Sequence, residues 1–320
     1  ILPGPELLKK GKGQEAVVLT LYGSINSLLI IIFFIPIFIF ILPIIQEKIA
    51  LFIPYILLFI SLYLIFTEEN LLASLIIFLL SGFLGLLTFN LPIKDPLLPL
   101  LTGLFGSSAL IISLKTSSPK LTRQIIESIK KIRLSKIDYI KSTISAAISA
   151  PLCSFLPGIG SGHAATIGSK IFKQNKRSFL FLVGSISTIV TALSFVALYS
   201  INKTRSGTAA ALKEILNPFI IQDLLIIIAT VIFSGIISFF IGIKISKLTA
   251  KYISKINYKK ISLTTLSILL IINIIFTNAL GILILISATA LGIFAISMNS
   301  KRLNLMGSLL IPAIIFYLAN

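Results

Sequence analysis

The chain has no tryptophan, one cysteine, one histidine and two methionines among 320 residues. A single cysteine, Cys153, excludes an internal disulfide and makes a cysteine-based metal cluster implausible; it reads as a small packing residue. A single histidine, His163, excludes a multi-histidine metal site within the chain. Without tryptophan, an interfacial aromatic belt has to come from Tyr and Phe. Charge is also scarce. Charged residues make up 12% of the sequence, against about 25% in a soluble domain. Acids are the scarcer sign, 10 against 28 basic residues, and neither Glu68–Glu69 nor Asp95 forms an obvious pair with a base. Gly168-Ser-Lys170 has the flavour of a phosphate loop, but its lysine does not follow a glycine as that motif requires. No catalytic residue, metal site or nucleotide site is therefore assigned, and the chain does not read as an enzyme.

Apolar residues fill the space that charge leaves. They form 56% of the chain, with a mean hydropathy of +1.06. Runs near the roughly 20 residues that cross a bilayer recur along its length. They are Ser24–Ile45, Ile49–Phe66, Leu71–Phe89, Leu97–Leu114, Ser178–Ile201, Phe219–Ile243, Ile261–Thr277, Ala279–Met298 and Asn304–Leu318. The expected fold is an all-α polytopic membrane protein, multi-pass in the cell membrane. It has about nine transmembrane helices and one re-entrant broken helical hairpin, in a single transmembrane domain over residues 1–320. The net charge of +18 raises the question of nucleic acid, and the distribution answers it. With the N-terminal segment inside, alternating loops place 23 of the 28 basic residues on the inner side. Positive-inside bias explains that asymmetry without a polyanion partner, provided Asp138–Lys170 enters and leaves on the same side.

Several segments carry further signals. Pro36 and Pro43 should kink the first span. Gly82, Gly85, Gly103 and Gly106, with nearby serines and threonines, allow close helix approach, either for packing alone or to line a cavity. In residues 115–136 Ile125, Ile126, Ile129, Ile132 and Leu134 fall near one helical face among lysines and arginines. This predicts a cytoplasmic amphipathic segment lying on anionic membrane lipid. The opening Pro3-Gly4-Pro5 reads as a loop leaving an earlier element, so the chain is expected to be incomplete at its N-terminus.

Residues 151–169, Pro-Leu-Cys-Ser-Phe-Leu-Pro-Gly-Ile-Gly-Ser-Gly-His-Ala-Ala-Thr-Ile-Gly-Ser, break the apolar pattern. Irregular backbone at membrane depth is tolerated only inside protein or beside a wet cavity. Asp138–Lys170 is 33 residues long, too short for two full crossings and too long for one. A re-entrant hairpin fits: Ser142–Phe155 descends, Leu156–Ser161 turns and Gly162–Lys170 returns. Its second half-helix would point N-terminal amides into the membrane, where they attract anions. The candidate substrate-binding set is Pro157, Gly158, Gly160, Ser161, Gly162, His163 and Thr166, with Ser187 and Thr191 from a dense polar stripe and Arg205 from the following loop. His163 is either a packed, tautomer-fixed side chain or a ligand donor and proton carrier. Arg205 is either a surface charge or an outer gate for carboxylates. Asp223 is read as interfacial, since acids within the membrane are expensive.

Ser154 to Gly168, the serine-threonine span and Lys203-Thr-Arg-Ser-Gly-Thr-Ala-Ala210 together resemble the archaeal branch of the TctA family, the large permease subunits of tripartite tricarboxylate transporters. Leu2-Pro-Gly-Pro5, Gly11 to Ala16 and Thr20 to Gly23 also resemble a family segment, with Pro5 where a histidine is expected. The resemblance implies a secondary transporter of small organic anions, di- or tricarboxylates. It further implies Na+ or H+ coupling, no other cofactor, and as partners a small membrane subunit and an extracellular solute-binding protein. It also implies an earlier membrane portion, with its own Pro-Gly loop, that is not in this chain. The alternative is a translocase of polyprenyl phosphate or another lipid phosphate, because a helix N-terminus serves phosphate as readily as carboxylate. An intramembrane lipid enzyme and a purely structural membrane protein rank lower. Substrate identity and oligomeric state are not legible.

Overall fold

A computed structural model describes residues 3–115, 124–216, 218–255 and 257–319. The described residues are mostly helical, with no strand among them. In chain order the helices are α1 (Pro3–Lys9), α2 (Gly13–Ile49), α3 (Ile53–Phe66), α4 (Leu71–Asn90), α5 (Leu97–Leu101) and α6 (Ser108–Lys115). They continue as α7 (Lys136–Phe155), α8 (Ser161–Ile171), α9 (Lys176–Ile201), α10 (Gly207–Ile215) and α11 (Ile221–Tyr252). The last three are α12 (Tyr258–Phe276), α13 (Ala279–Ser297) and α14 (Gly307–Ala319). A π-helical stretch, Thr102–Ser107, joins α5 to α6 into one apolar rod. Eight of the described helical rods are long and apolar enough to cross a membrane, and α3 is a shorter apolar helix. The protein is a polytopic membrane protein. Neither α7 nor α8 is among the eight.

The chain forms two compact units. The first comprises residues 1–50 and 120–255. At its centre α2 crosses α9 through a reciprocal Gly-Ser pair. Ser24 donates to the Gly184 carbonyl at 3.2 Å, and Ser185 donates to the Gly23 carbonyl at 3.0 Å. Ser27 adds a bond to the Ser185 carbonyl. A side chain at Gly23 would run into the Phe181 carbonyl, and one at Gly184 into the Thr20 carbonyl. The missing Cβ atoms are what let the backbones meet, the usual role of small residues between membrane helices. The second unit comprises residues 51–119 and 256–320 and repeats the device. Gly85 packs on the Ser308 backbone, Gly307 on that of Phe78, and Gly292 on Leu104 and Ser108.

The first apolar run proves longer than its pattern predicts. The helix starts at Gly13 and runs unbroken through Pro36 and Pro43. The described part of the predicted amphipathic helix is not one. Residues 116–123 lie outside the described set, and 124–135 form a strap with a single 3-10 turn at Ile129–Lys131. The strap's polar groups are taken by α1 and α2 instead of by a helix of its own. Gly13 N–H donates to Gln124 Oε1 at 2.9 Å, Gln124 Nε2 to the Leu8 carbonyl, and Ile125 N–H to the Gly11 carbonyl. Gln14 and the Glu127 backbone exchange two bonds. Ile132 is then buried with Leu7, Val18, Leu19 and Leu180, while Ile125 and Ile126 stay exposed.

Ion pairs gather the basic segments at one end of this unit. Arg177 Nε lies 2.6 Å from Glu15 Oε1, with Lys12 at 3.6 Å on the other oxygen. Glu6 pairs with Lys176 and Lys10, whose hydrogen bonds hold its pKa down at about 2. The start of α11's last turns, at Gly242, packs on Leu21 of α2, so Lys244 to Lys255 reach the same end. Residues 203–213 follow the far end of α9, about 39 Å away at the helical rise. Asp223 accepts from the Ile220 amide as part of the first turn of α11.

Candidate anion site at a broken hairpin

Asp138 and Asn175 show that the central segment returns to its starting side. Asn175 Nδ2 donates to Asp138 Oδ2 at 2.8 Å, joining the start of α7 to the start of α9. The Ser142 hydroxyl adds a bond of 2.9 Å to Gln174. Between these points α7 goes in and α8 comes back. Ser142, Ser145, Ser149 and Ser154 are wholly buried along α7. Gly168 of α8 sits where a side chain would press on Ser149 and reach Leu182 of α9.

The turn falls where the sequence places it: α7 ends at Phe155 and α8 starts at Ser161. Gly158 has φ +72, the left-handed region that costs other residues about 1–2 kcal/mol. Gly160 is the N-cap in extended geometry, which any residue adopts. The cap is closed by His163, whose Nδ1 accepts from the Gly160 amide at 3.4 Å. The His163 and Ala164 amides turn back on the Gly160 carbonyl. This leaves the first amides of α8, at Ser161 and Gly162, as the helix's open donors; Gly162 is exposed and Ser161 half-buried. Thr166 donates to the Gly162 carbonyl at 3.0 Å and is itself partly exposed. His163 is 1% exposed, and its Nε2 is buried without a hydrogen-bond partner. With Nδ1 accepting, Nε2 carries the proton. An unmet buried donor costs about 1–3 kcal/mol, so it marks a site where an acceptor would be stabilised. The Cys153 side chain lies outside the described set.

Depth follows from register. Gly168 faces Leu182, and α8 and α9 run antiparallel, so Ser161 stands near the level of Ile189. That is about 20 Å along α9 from its start, near the middle of a roughly 30 Å hydrocarbon core. Ser187 and Thr191 share this depth, but α9 turns about 100° per residue. Leu182, Ile186 and Ile189 face the hairpin side. Gly184, Ser187, Thr188 and Thr191 fall on the opposite face. There Ser187, Thr188 and Thr191 line a cleft of about 330 Å³ with Ser24 of α2 and Ser234 and Ser238 of α11. The structure thus separates the candidate residues into two groups on two faces of one helix. Arg205 belongs to neither. It lies in the loop that Ser206 fastens to α9 through a 2.9 Å bond to Ser194.

Sequence reasoning missed the contribution of α11 to this cleft, because Ser234 and Ser238 sit singly in an apolar run. Their spacing of four residues is the signal that places them on one face. It missed the Glu15–Arg177 pair too, although Glu15 is the one acid in the span-entry segment Gly11 to Ala16.

A membrane permease with a polar, broken hairpin at mid-depth is the class these features define. The family model of the tripartite tricarboxylate transporter TctA family matches residues 1–307, and the chain belongs to that family. Among curated proteins it is similar to the uncharacterized protein MJ1079 of Methanocaldococcus jannaschii. The two are 31% identical over 328 aligned positions, covering 99% of this chain and 80% of that protein. No solved structure matches the chain.

Proposed function

We propose that the protein is a secondary transporter of small organic anions, di- or tricarboxylates, and that the N-terminus of α8 holds the anionic head of the substrate. The observation that carries this reading is an 11-residue helix starting at mid-membrane, with open amides at Ser161 and Gly162 and the unpartnered His163 Nε2 beside them. Helix N-termini favour anions through their free donors and dipole. The Ser161 hydroxyl and Thr166 add side-chain contacts, and Arg205 attracts carboxylates from the outer loop. The working partners, by family, are a small membrane subunit and an extracellular binding protein.

Coupling to a cation fits the cleft on the other face of α9. The protons of Ser24, Thr188, Thr191 and Ser234 are donated to helix carbonyls, so the hydroxyls turn lone pairs to the cleft. Its lining has no carboxylate, which suits Na+ better than a divalent ion.

The deciding experiment is uptake of labelled citrate and succinate into vesicles carrying the chain, under Na+ or proton gradients. Saturable uptake that unlabelled carboxylates suppress is expected. The Ser161→Ala, His163→Ala double variant should lose at least tenfold, since two hydrogen bonds to a charge are each worth about 1.5–3 kcal/mol. Uptake unchanged in that variant removes the hairpin as the site. Indifference to carboxylates with competition by a polyprenyl phosphate would move the reading to lipid-phosphate translocation.

Orientation is tested separately. In a Cys153→Ala background, cysteines at Lys131 and Lys173 should label from the cytoplasmic face and one at Thr208 from the outer face. Labelling of positions 131 and 173 from opposite faces would defeat the re-entrant arrangement.

A further inference from the structure

The strap leaves an amphipathic groove behind it. The groove, of about 690 Å³, runs between α2 and α11 and is bordered at its basic end by the strap and α7. Leu28 of α2 lies on Gly235 of α11, and Leu21 on Gly242. In that antiparallel register the groove extends from the level of Tyr22 and Phe240 to that of Ile32 and Ile232. That is about 15 Å at the helical rise, the reach of a long stretch of acyl chain. Its deep walls are Ile, Leu and Phe side chains, and its polar groups collect at one mouth. Arg133 stands there with Tyr22, Asn26 and Tyr139. Tyr22 donates to the Ile129 carbonyl, Tyr139 to Asn26 Oδ1, and Asn26 Nδ2 to Thr143. The tyrosines and Asn26 are thereby committed within the protein. Arg133 is exposed and enters none of the described ion pairs. Exposed Lys131, Lys136 and Lys141 flank it in the chain.

We propose that this groove binds one anionic phospholipid from the leaflet at the basic end of the unit, with its phosphate on Arg133 and an acyl chain along α2 and α11. The strap's sequence signature was one of lipid contact. The structure relocates that contact from an amphipathic helix to a cationic lip over an apolar slot. Charge complementarity selects the occupant: one unpaired guanidinium at the interface end, in a phosphate-matching fork, and no acid in the lining. This inference does not depend on the substrate reading.

The absence of tryptophan gives a clean readout. Phe240→Trp places the only indole on the groove lining, and Ile241→Trp places it at the same depth beside the groove; both native side chains are exposed, so the two positions differ in groove contact and not in burial. Each variant is reconstituted in phosphatidylcholine vesicles with increasing fractions of phosphatidylglycerol brominated on its acyl chains. Half-quenching at position 240 is expected at an anionic fraction about fivefold lower than at 241, the preference one basic group provides near a membrane surface. Arg133→Ala should erase that difference, while Lys173→Ala, equally basic but away from the groove, should keep it. Brominated phosphatidylcholine should quench both positions alike. Coincident curves at 240 and 241, or equal loss with Lys173→Ala, would overturn the site. Circular dichroism and size-exclusion profiles matching the parent secure the comparison, and Phe240→Trp with Arg133→Lys should retain part of the preference.

Discussion

Gly184→Leu should remove the folded protein from the membrane. The α2–α9 crossing has backbone against backbone at Gly184 and Thr20, and again at Gly23 and Phe181. A leucine there has no flexible neighbour to displace, because the obstacle is a carbonyl group. Overpacking against movable side chains costs about 1–3 kcal/mol, so a clash with backbone should reach at least the upper end. The separation of the helices would also break the Ser24 and Ser185 bonds. Abundance in membranes and thermal melting in detergent are the measurements. Gly207→Ala, which meets nothing within 4 Å, is the control. Gly184→Leu at parental abundance and melting would mean that the crossing is not the centre of the unit.

Arg177→Ala should cost about 2 kcal/mol, more than Glu15→Gln. The Glu15 side chain is 6% exposed and Arg177 42%. Removing one partner of a fully buried pair costs about 3–5 kcal/mol because the other charge is stranded. The exposure of Arg177 and the remaining Lys12 contact at 3.6 Å lower that figure. Glu15→Gln leaves a guanidinium whose Nε is buried but whose side chain is 42% exposed and so still reaches water. The Glu15→Gln, Arg177→Ala double variant should therefore be more stable than Arg177→Ala. Melting of the single and double variants decides it, and additivity across the pair would show that the contact contributes nothing.

The hairpin was legible because its signals are local. Pro157-Gly158 and Gly160, three helix-weakening residues within four positions, favour a break, and Ser161 onward can start a helix. The α2 boundary was not, because Gly23 resembles a breaker; its role is set by Phe181, far away in sequence. The strap misled for a related reason. Ile125 to Leu134 have a helix-like spacing, but Gln124 and Gln14 give the backbone partners on α1 and α2. Nor could the sequence divide the candidate site. Ser187, Thr191 and Ser161 are all polar residues at mid-depth, and only the contact of Gly168 with Leu182 tells which face of α9 meets the hairpin.

The buried serines of α7 bear on how the protein is made. An 11-residue α8 spans about 16 Å, and α7 turns Ser142, Ser145, Ser149 and Ser154 inward. Neither helix carries the apolar length that a nascent segment needs to partition into lipid unaided. The hairpin is thus a guest in the bilayer, lodged by its neighbours. Its entry has to await the α9 surface that receives it, so biogenesis of the candidate site is tied to completion of a helix synthesised after it.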